Sequence, residues 1–194
     1  AVSVREQSGV NLCNEHFDVD AQCVLDPTLL VPRGVYESLC ADIPQKDEFI
    51  LVYMVDYSIK IKEEAEKLSR ETSLPIIVIE ADKGVTPEDS VSKWLAAFRD
   101  AKYVITDSFH GTVFSIIFEK KFVAVGNERR GVDRFVSLLD SLQLVDSFVN
   151  ESNLNEIVEK ILKEDKYPLI NRMRYQMTIE GISFINSALN LNLV

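Results

Sequence analysis

The chain has 194 residues and a mass of 22.0 kDa, enough for one complete hydrophobic core but short for two. Hydrophobic residues make up 46% of the sequence and charged residues 27%, and no apolar run approaches the roughly 20 residues of a membrane-spanning helix, which excludes a disordered or membrane-embedded protein. The formal net charge of −10 is spread along the chain, so nucleic acid and anionic membrane surfaces are poor partners.

Residues 1–33 differ in pattern from the remainder of the chain. They predict a strand, a helix and a second strand, at Val2–Arg5, Ser8–Phe17 and Gln22–Leu25. The following segment, "DPTLLVPRG", has the prolines and glycine of a linker. Because the chain starts without Met in a strand-like pattern, we expect residues 1–33 to be the tail of an N-terminal domain with a linker, and residues 34–194 to be a C-terminal domain.

From residue 49 onward, short β-branched runs alternate with amphipathic helices. Four strands are predicted, at Phe49–Val55, Pro75–Glu80, Lys102–Thr106 and Lys121–Val125. Six helices are predicted between and after them, at Ser58–Thr72, Ser90–Asp100, Gly111–Glu119, Val132–Asp140, Asn153–Lys163 and Tyr167–Leu189. Continuous apolar strands separated by helices form a parallel sheet covered on both faces, so the sequence predicts a Rossmann-like α/β fold.

Polar residues follow each predicted strand, where ligands bind in open parallel sheets. In chain order these residues are Asp56 and Tyr57, then Asp82, Lys83 and Gly84, then Asp107, Ser108 and His110, then Asn127, Glu128, Arg129 and Arg130, with Arg134 in the next helix.

The third of these loops, "TDSFHG", carries the sharpest signal. Asp107 or Ser108 can cap the helix that follows, and Gly111 permits close approach of a ligand, so an anion can dock on the first helical turn. His110 in that turn can donate to a phosphate or carboxylate, or move a proton near neutral pH. We therefore select Asp107, Ser108, Gly111 and Thr112 as candidate substrate-binding residues. The alternative is that the loop only caps the helix while His110 packs against a neighbour.

Three arginines, Arg129, Arg130 and Arg134, lie within six positions after the last predicted strand. Guanidinium groups suit bidentate binding of phosphate or carboxylate, so these residues are candidate anion ligands. The alternative is a solvated surface loop in an acidic protein.

The cysteines and glycines exclude several kinds of site. Cys13, Cys23 and Cys40 form no Cys-x-x-Cys pair and have no histidine at metal spacing, so neither a zinc site nor a disulfide framework is expected. No G-x-G-x-x-G or P-loop pattern occurs, and no nucleophile elbow surrounds Ser108. We expect a cytoplasmic protein, either free or peripheral at the inner membrane face.

Four segments resemble the polysaccharide pyruvyl transferase family. They are "VSVREQSGV" at 2–10, "CVLDPTLL" at 23–30, "ITDSFHGTVFSIIFEKKFVAV" at 105–125 and "RGVDRFVSLLDSLQL" at 130–144. They occur in the family's order and span most of the chain. The resemblance implies a two-domain fold similar to GT-B glycosyltransferases, of which this chain holds the last piece of the N-terminal half and all of the C-terminal half. It also implies transfer of pyruvate from phosphoenolpyruvate onto a sugar, usually as a ketal on two hydroxyls, with no metal or cofactor.

By position, Arg5 in "VRE", Asp26 in "LDP" and His110 in "SFHG" match polar residues that the family places at its cleft. We assign His110 as the acid/base or phosphate ligand, and Arg5 and Arg134 as anion clamps. Asp26 would orient an arginine or accept the hydroxyl proton, and the catalytic roles can be exchanged. Many relatives carry an arginine where this chain has Ser108, so anion binding would rest on the remaining arginines or the helix N-terminus.

Two other functions fit the same sequence. A GT-B glycosyltransferase or nucleotide-sugar enzyme would use the arginines to hold a nucleotide diphosphate, and a non-catalytic relative would only bind glycan or nucleotide sugar. For the pyruvyl transferase, the expected partners are phosphoenolpyruvate, a glycan or lipid-linked sugar acceptor and the missing N-terminal domain. We expect the isolated chain to be inactive.

Overall fold

A computed structural model describes residues 1–81, 90–126, 131–163 and 167–190, which divide into two units. The first unit comprises Ala1–Val31, Gly131–Val145 and Lys166–Val194, and the second comprises Pro32–Arg130 and Asp146–Asp165. Two segments from the C-terminal third thus group with the N-terminal residues. The predicted domain boundary near residue 33 stays a prediction.

The described residues contain the following elements. The strands are β1 (Ser3–Val4), β2 (Gln22–Cys23), β3 (Ile50–Met54), β4 (Ile76–Glu80), β5 (Tyr103–Thr106), β6 (Lys121–Gly126) and β7 (Phe148–Asn150). The helices are α1 (Gln7–Phe17), α2 (Pro27–Leu30), α3 (Arg33–Leu39), α4 (Ile59–Thr72), α5 (Val91–Asp100), α6 (Phe109–Ile117), α7 (Asp133–Ser141), α8 (Ile157–Ile161) and α9 (Tyr167–Ala188). Two 3₁₀ segments occupy Val145–Ser147 and Glu151–Glu156.

The second unit is built on a parallel five-stranded sheet in the order β4-β3-β5-β6-β7. Val52 pairs with Val78 on one side and with Ile105 on the other, which fixes the register at the centre of the sheet. The predicted α/β fold with a parallel sheet flanked by helices is therefore confirmed, whereas the GT-B-like arrangement stays a prediction. Sequence reasoning missed β7, because three residues are too short to show a period.

Helices cover both faces of this sheet. On one face, the even-numbered residues of β3 pack with Ile61, Ala65 and Leu68 of α4 and with Ile157 and Ile161 of α8. Full burial of each of the isoleucine and leucine side chains contributes about 1.5–3 kcal/mol to stability. The other face carries aromatic rings from α5 and α6, and the ring of Tyr53 lies 5.4 Å from that of Trp94.

The first unit contains a small parallel sheet in which Ser3 pairs with Gln22 and Val4 with Cys23. The connection between the two strands is α1, which ends at Asp18 in a left-handed conformation with φ of 53°. Helices α2 and α9 pack closely, since a Cβ on Gly181 would lie 2.8 Å from a methyl carbon of Leu30.

Across the described ranges, no helix combines the length and the hydrophobicity that crossing a bilayer requires.

Candidate functional site

The order of the strands predicts where a ligand would bind at the edge of the sheet. From β3 the chain crosses to β4 on one side, and β5 then pairs with the other side of β3. In open parallel sheets, the loops diverge at such a switch point and leave a ligand crevice outside the carboxyl ends of the strands. The loop after β3 and the turn before α6 therefore flank the candidate site.

Ser108 is the cap of α6. Its backbone is extended, and its hydroxyl oxygen accepts a hydrogen bond of 3.2 Å from the Gly111 N–H. The Ser108 N–H in turn donates to the Thr106 hydroxyl at 3.1 Å. The prediction that Asp107 or Ser108 caps the helix is thus confirmed for Ser108, which is buried by this role.

Asp107 faces the protein interior and is only 6% exposed. Its two carboxylate oxygens accept hydrogen bonds from the backbone N–H groups of Val55 at 2.6 Å and Asp56 at 2.8 Å. Burial raises the pKa of this carboxyl above its usual value, and the two backbone donors oppose that shift. Asp107 therefore ties the loop after β3 to the turn before α6, and its predicted substrate contact stays a prediction.

Gly111 and Thr112 also serve the packing of α6. A Cβ on Gly111 would lie 2.9 Å from Cδ1 of Tyr53 and closer still to the Thr106 hydroxyl, so the missing side chain lets the helix approach the sheet. Thr112 is fully buried, and its hydroxyl donates to the Ser108 carbonyl at 3.1 Å. Both residues thus pack α6 against the protein, and their predicted ligand contacts stay predictions.

His110 is exposed in the first turn of α6. The neighbouring Phe109 is buried and anchors the turn, and its ring lies 5.6 Å from the imidazole in an edge-to-face arrangement. The alternative in which His110 packs against a neighbouring loop does not fit an exposed side chain. The imidazole is accessible to a ligand at the switch point.

Arg5 and Asp26, which belong to the first unit, form an ion pair of 2.8 Å. Asp26 is 5% exposed, and its other oxygen accepts the Thr28 N–H at 3.0 Å as the cap of α2. Asp26 thus holds the Arg5 guanidinium, and the catalytic role expected for it stays a prediction.

The remaining predicted arginines fall in two groups. Arg129 and Arg130 lie outside the described residues. Arg134, in the first turn of α7 and in the first unit, is partly buried, and its guanidinium carbon lies 5.6 Å from the centre of the Phe135 ring.

Sequence analysis noted Tyr57 after the strand but did not choose it as a site residue, and it missed the two side chains that hold it. Tyr57 follows the strand and is 56% exposed, and the ammonium of Lys62 lies 4.5 Å from the centre of its ring. Lys62 is itself paired with Glu80 at 2.6 Å. The position of Tyr57 directly after a strand was a usable signal, whereas the partners come from α4 and β4 and are not adjacent in sequence.

Tyr53 also belongs to this region. Burial raises the pKa of its hydroxyl above the usual value, and the side chains of Ser108 and Trp94 near it oppose that shift. It therefore joins β3 to the capping residue of α6.

Within the ranges that the structure describes, no group of three or more histidine, cysteine, aspartate or glutamate side chains is placed to hold a metal ion. The absence of a cofactor stays a prediction.

The sequence model of one family, polysaccharide pyruvyl transferase, matches residues 1–129. The match includes the Arg5–Asp26 pair and the whole turn that carries His110. No curated protein and no solved structure matches the chain. Because the family match covers more than half of its residues, this chain belongs to the polysaccharide pyruvyl transferase family.

Proposed function

We propose that this protein transfers pyruvate from phosphoenolpyruvate onto two hydroxyls of a sugar, as a ketal, in the synthesis of an exopolysaccharide or another cell-surface glycan. Membership of a transferase family supports the class of reaction. The observation that carries the proposal is the exposed His110, held in the first turn of α6 at the switch point of the sheet.

The reaction requires one proton donor and one proton acceptor. A proton is added to the methylene carbon of phosphoenolpyruvate, and a sugar hydroxyl adds to the adjacent carbon and loses its proton. The second hydroxyl then displaces the phosphate from that carbon and also loses its proton. The products are the pyruvate ketal and inorganic phosphate, which retains one of the two hydroxyl protons.

His110 suits the proton transfers because an imidazole can both accept and donate a proton. Asp26 is the second candidate for acid/base catalysis, and its ion pair with Arg5 supports a role in orienting that arginine. We propose Arg5, Arg129, Arg130 and Arg134 as ligands of the phosphate and carboxylate groups, because guanidinium groups bind such anions bidentately.

The proposal includes partners that lie beyond this chain. The acceptor is a glycan or a lipid-linked sugar, and a further N-terminal domain completes the enzyme, so the isolated chain would be inactive. We also propose a cytoplasmic location, free or peripheral at the inner membrane face, since three unpaired thiols suit a reducing compartment.

The test is the substitution His110→Ala in the complete protein. We expect loss of at least about 100-fold in turnover, in line with the usual contribution of general acid–base catalysis. We expect little change in melting temperature, because the side chain is exposed. Release of inorganic phosphate and the mass of the acceptor product measure turnover.

The matched control is His16→Ala, which replaces the other histidine of the chain, also exposed. Full activity of the His110 variant, or its unfolding under assay conditions, would contradict the role proposed for the imidazole. Equal losses in both variants would also contradict it.

A further inference from the structure

The loop after β3 presents an aromatic ring that is fixed on one side and open on the other. Tyr57 is more than half exposed, yet the Lys62 ammonium lies over its ring. Glu80, at the end of β4, holds that ammonium through the 2.6 Å ion pair. The loop after β3, α4 and β4 thus fix the position of one exposed ring together. Fixing a side chain costs conformational entropy, which a residue with no role beyond the surface does not need to lose.

The backbone of the same loop is fixed independently. Asp107 accepts the N–H groups of Val55 and Asp56, which directly precede the tyrosine. Neighbouring parallel strands lie about 4.8 Å apart, so the loop after β3 and the His110 turn after β5 leave the sheet side by side. The backbone that directly precedes Tyr57 is therefore tied to the turn that carries the candidate acid/base.

The charges in this part of the site disfavour the donor substrate. Phosphoenolpyruvate carries a phosphate and a carboxylate, whereas the acidic residue Asp56 directly precedes Tyr57 and the Lys62 ammonium beside the ring is already paired with Glu80. A neutral ligand with many hydroxyls is not repelled by carboxylates, which can accept its hydrogen bonds. An open aromatic face also suits the apolar C–H face of a pyranose ring.

We propose that Tyr57 forms the acceptor subsite, in which its exposed ring stacks against a pyranose ring of the acceptor and places two hydroxyls toward His110. Asp107 is a positioning residue for this subsite, since it holds the backbone on which the tyrosine is carried. The inference rests on the proposed pyruvyl transfer and adds which side of His110 receives the sugar.

The test compares Tyr57→Ala with Tyr57→Phe in the complete protein. We expect the alanine variant to raise KM for the acceptor at least tenfold, with KM for phosphoenolpyruvate within twofold of the wild-type value. The phenylalanine variant keeps the ring and should restore acceptor KM. Tyr175→Ala, which removes a tyrosine 69% exposed on α9, is the matched control and should change neither constant.

A second measurement does not depend on pyruvyl transfer. Saturation-transfer NMR with methyl hexopyranosides as probes should detect binding to the wild type and to Tyr57→Phe, and lose the signal in Tyr57→Ala. If these signals behave as expected while no variant forms a ketal, the acceptor subsite stands and the proposed reaction fails. If Tyr57→Ala keeps the wild-type acceptor KM, raises both KM values equally or leaves the NMR signal unchanged, the subsite is overturned.

Discussion

At the scale of single residues, two neighbours in sequence have different tasks. Asp107 and Ser108 are both good capping residues, and sequence alone allowed either to cap α6. In the structure, Ser108 caps the helix and Asp107 accepts two N–H groups from the loop after β3. The choice depends on where β3 ends relative to β5, and this is a property of the paired strands.

The pKa shift of Asp107 predicts how stability depends on pH. Burial raises the folded-state pKa above the usual value of 3.8, so between these two values the folded chain binds more protons than the unfolded chain. The contribution of Asp107 to the free energy of unfolding is therefore fully present below the unfolded pKa and is lost as the pH rises through the folded pKa. We therefore expect the free energy of unfolding of the wild type, relative to that of Asp107→Asn, to fall as the pH rises through the folded-state pKa.

Urea unfolding over a series of acidic pH values measures this difference. Asp42→Asn, which replaces an exposed aspartate in the same unit, is the control. A stability difference that grows as the pH rises would show that the hydrogen bonds to Val55 and Asp56 outweigh desolvation.

At the scale of elements, the beginning of α6 determines the geometry of the candidate site. The helix approaches the sheet closely because Gly111 has no side chain, and the Phe109 side chain is buried and anchors the first turn. His110 lies between these two residues and is left at the surface. The exposed imidazole is thus a consequence of helical period, because one residue of the turn must face outward when its neighbours face the sheet.

Removal of the cap should destabilise this element measurably. Ser108→Ala leaves the buried Gly111 N–H without its hydroxyl acceptor, so we expect a loss of about 2 kcal/mol in the free energy of unfolding. Ser90→Ala removes the equivalent cap of α5, where Ser90 is exposed and water can replace it, and should cost about 1 kcal/mol or less. Denaturant unfolding of both variants gives the comparison, and equal losses would argue against a buried capping bond in α6.

At the scale of the whole molecule, an acidic protein is expected to bind an anionic metabolite. The chain carries a formal charge of −10, so a ligand such as phosphoenolpyruvate must be held by local cations against the average potential. Arg129 and Arg130 after β6 and Arg134 in α7 are candidates for these local cations. The acidic residue Asp56 beside Tyr57 has the opposite preference, which is why the acceptor, and not the donor, is proposed to bind at Tyr57.

The need for local cations predicts which small molecules stabilise the complete protein. Phosphoenolpyruvate should raise the melting temperature, since saturation at about 100 times Kd adds about 2.7 kcal/mol to the folded state. The effect should weaken at high salt, because screening reduces the attraction between the anion and arginine side chains. Thermal-shift titrations with phosphoenolpyruvate and with a uridine diphosphate sugar measure this. Stabilisation by the nucleotide sugar alone would favour a glycosyltransferase.

The sequence by itself determined the parallel α/β layer, the capped turn with its histidine and the family, because helical and strand periods and contiguous motifs are local properties. Only the tertiary structure decided that Asp107 holds a loop, that Gly111 and Thr112 pack α6, and that Tyr57 is fixed through Lys62 and Glu80. These facts depend on contacts between residues that are distant along the chain, and such contacts exist only once the strands have paired in register.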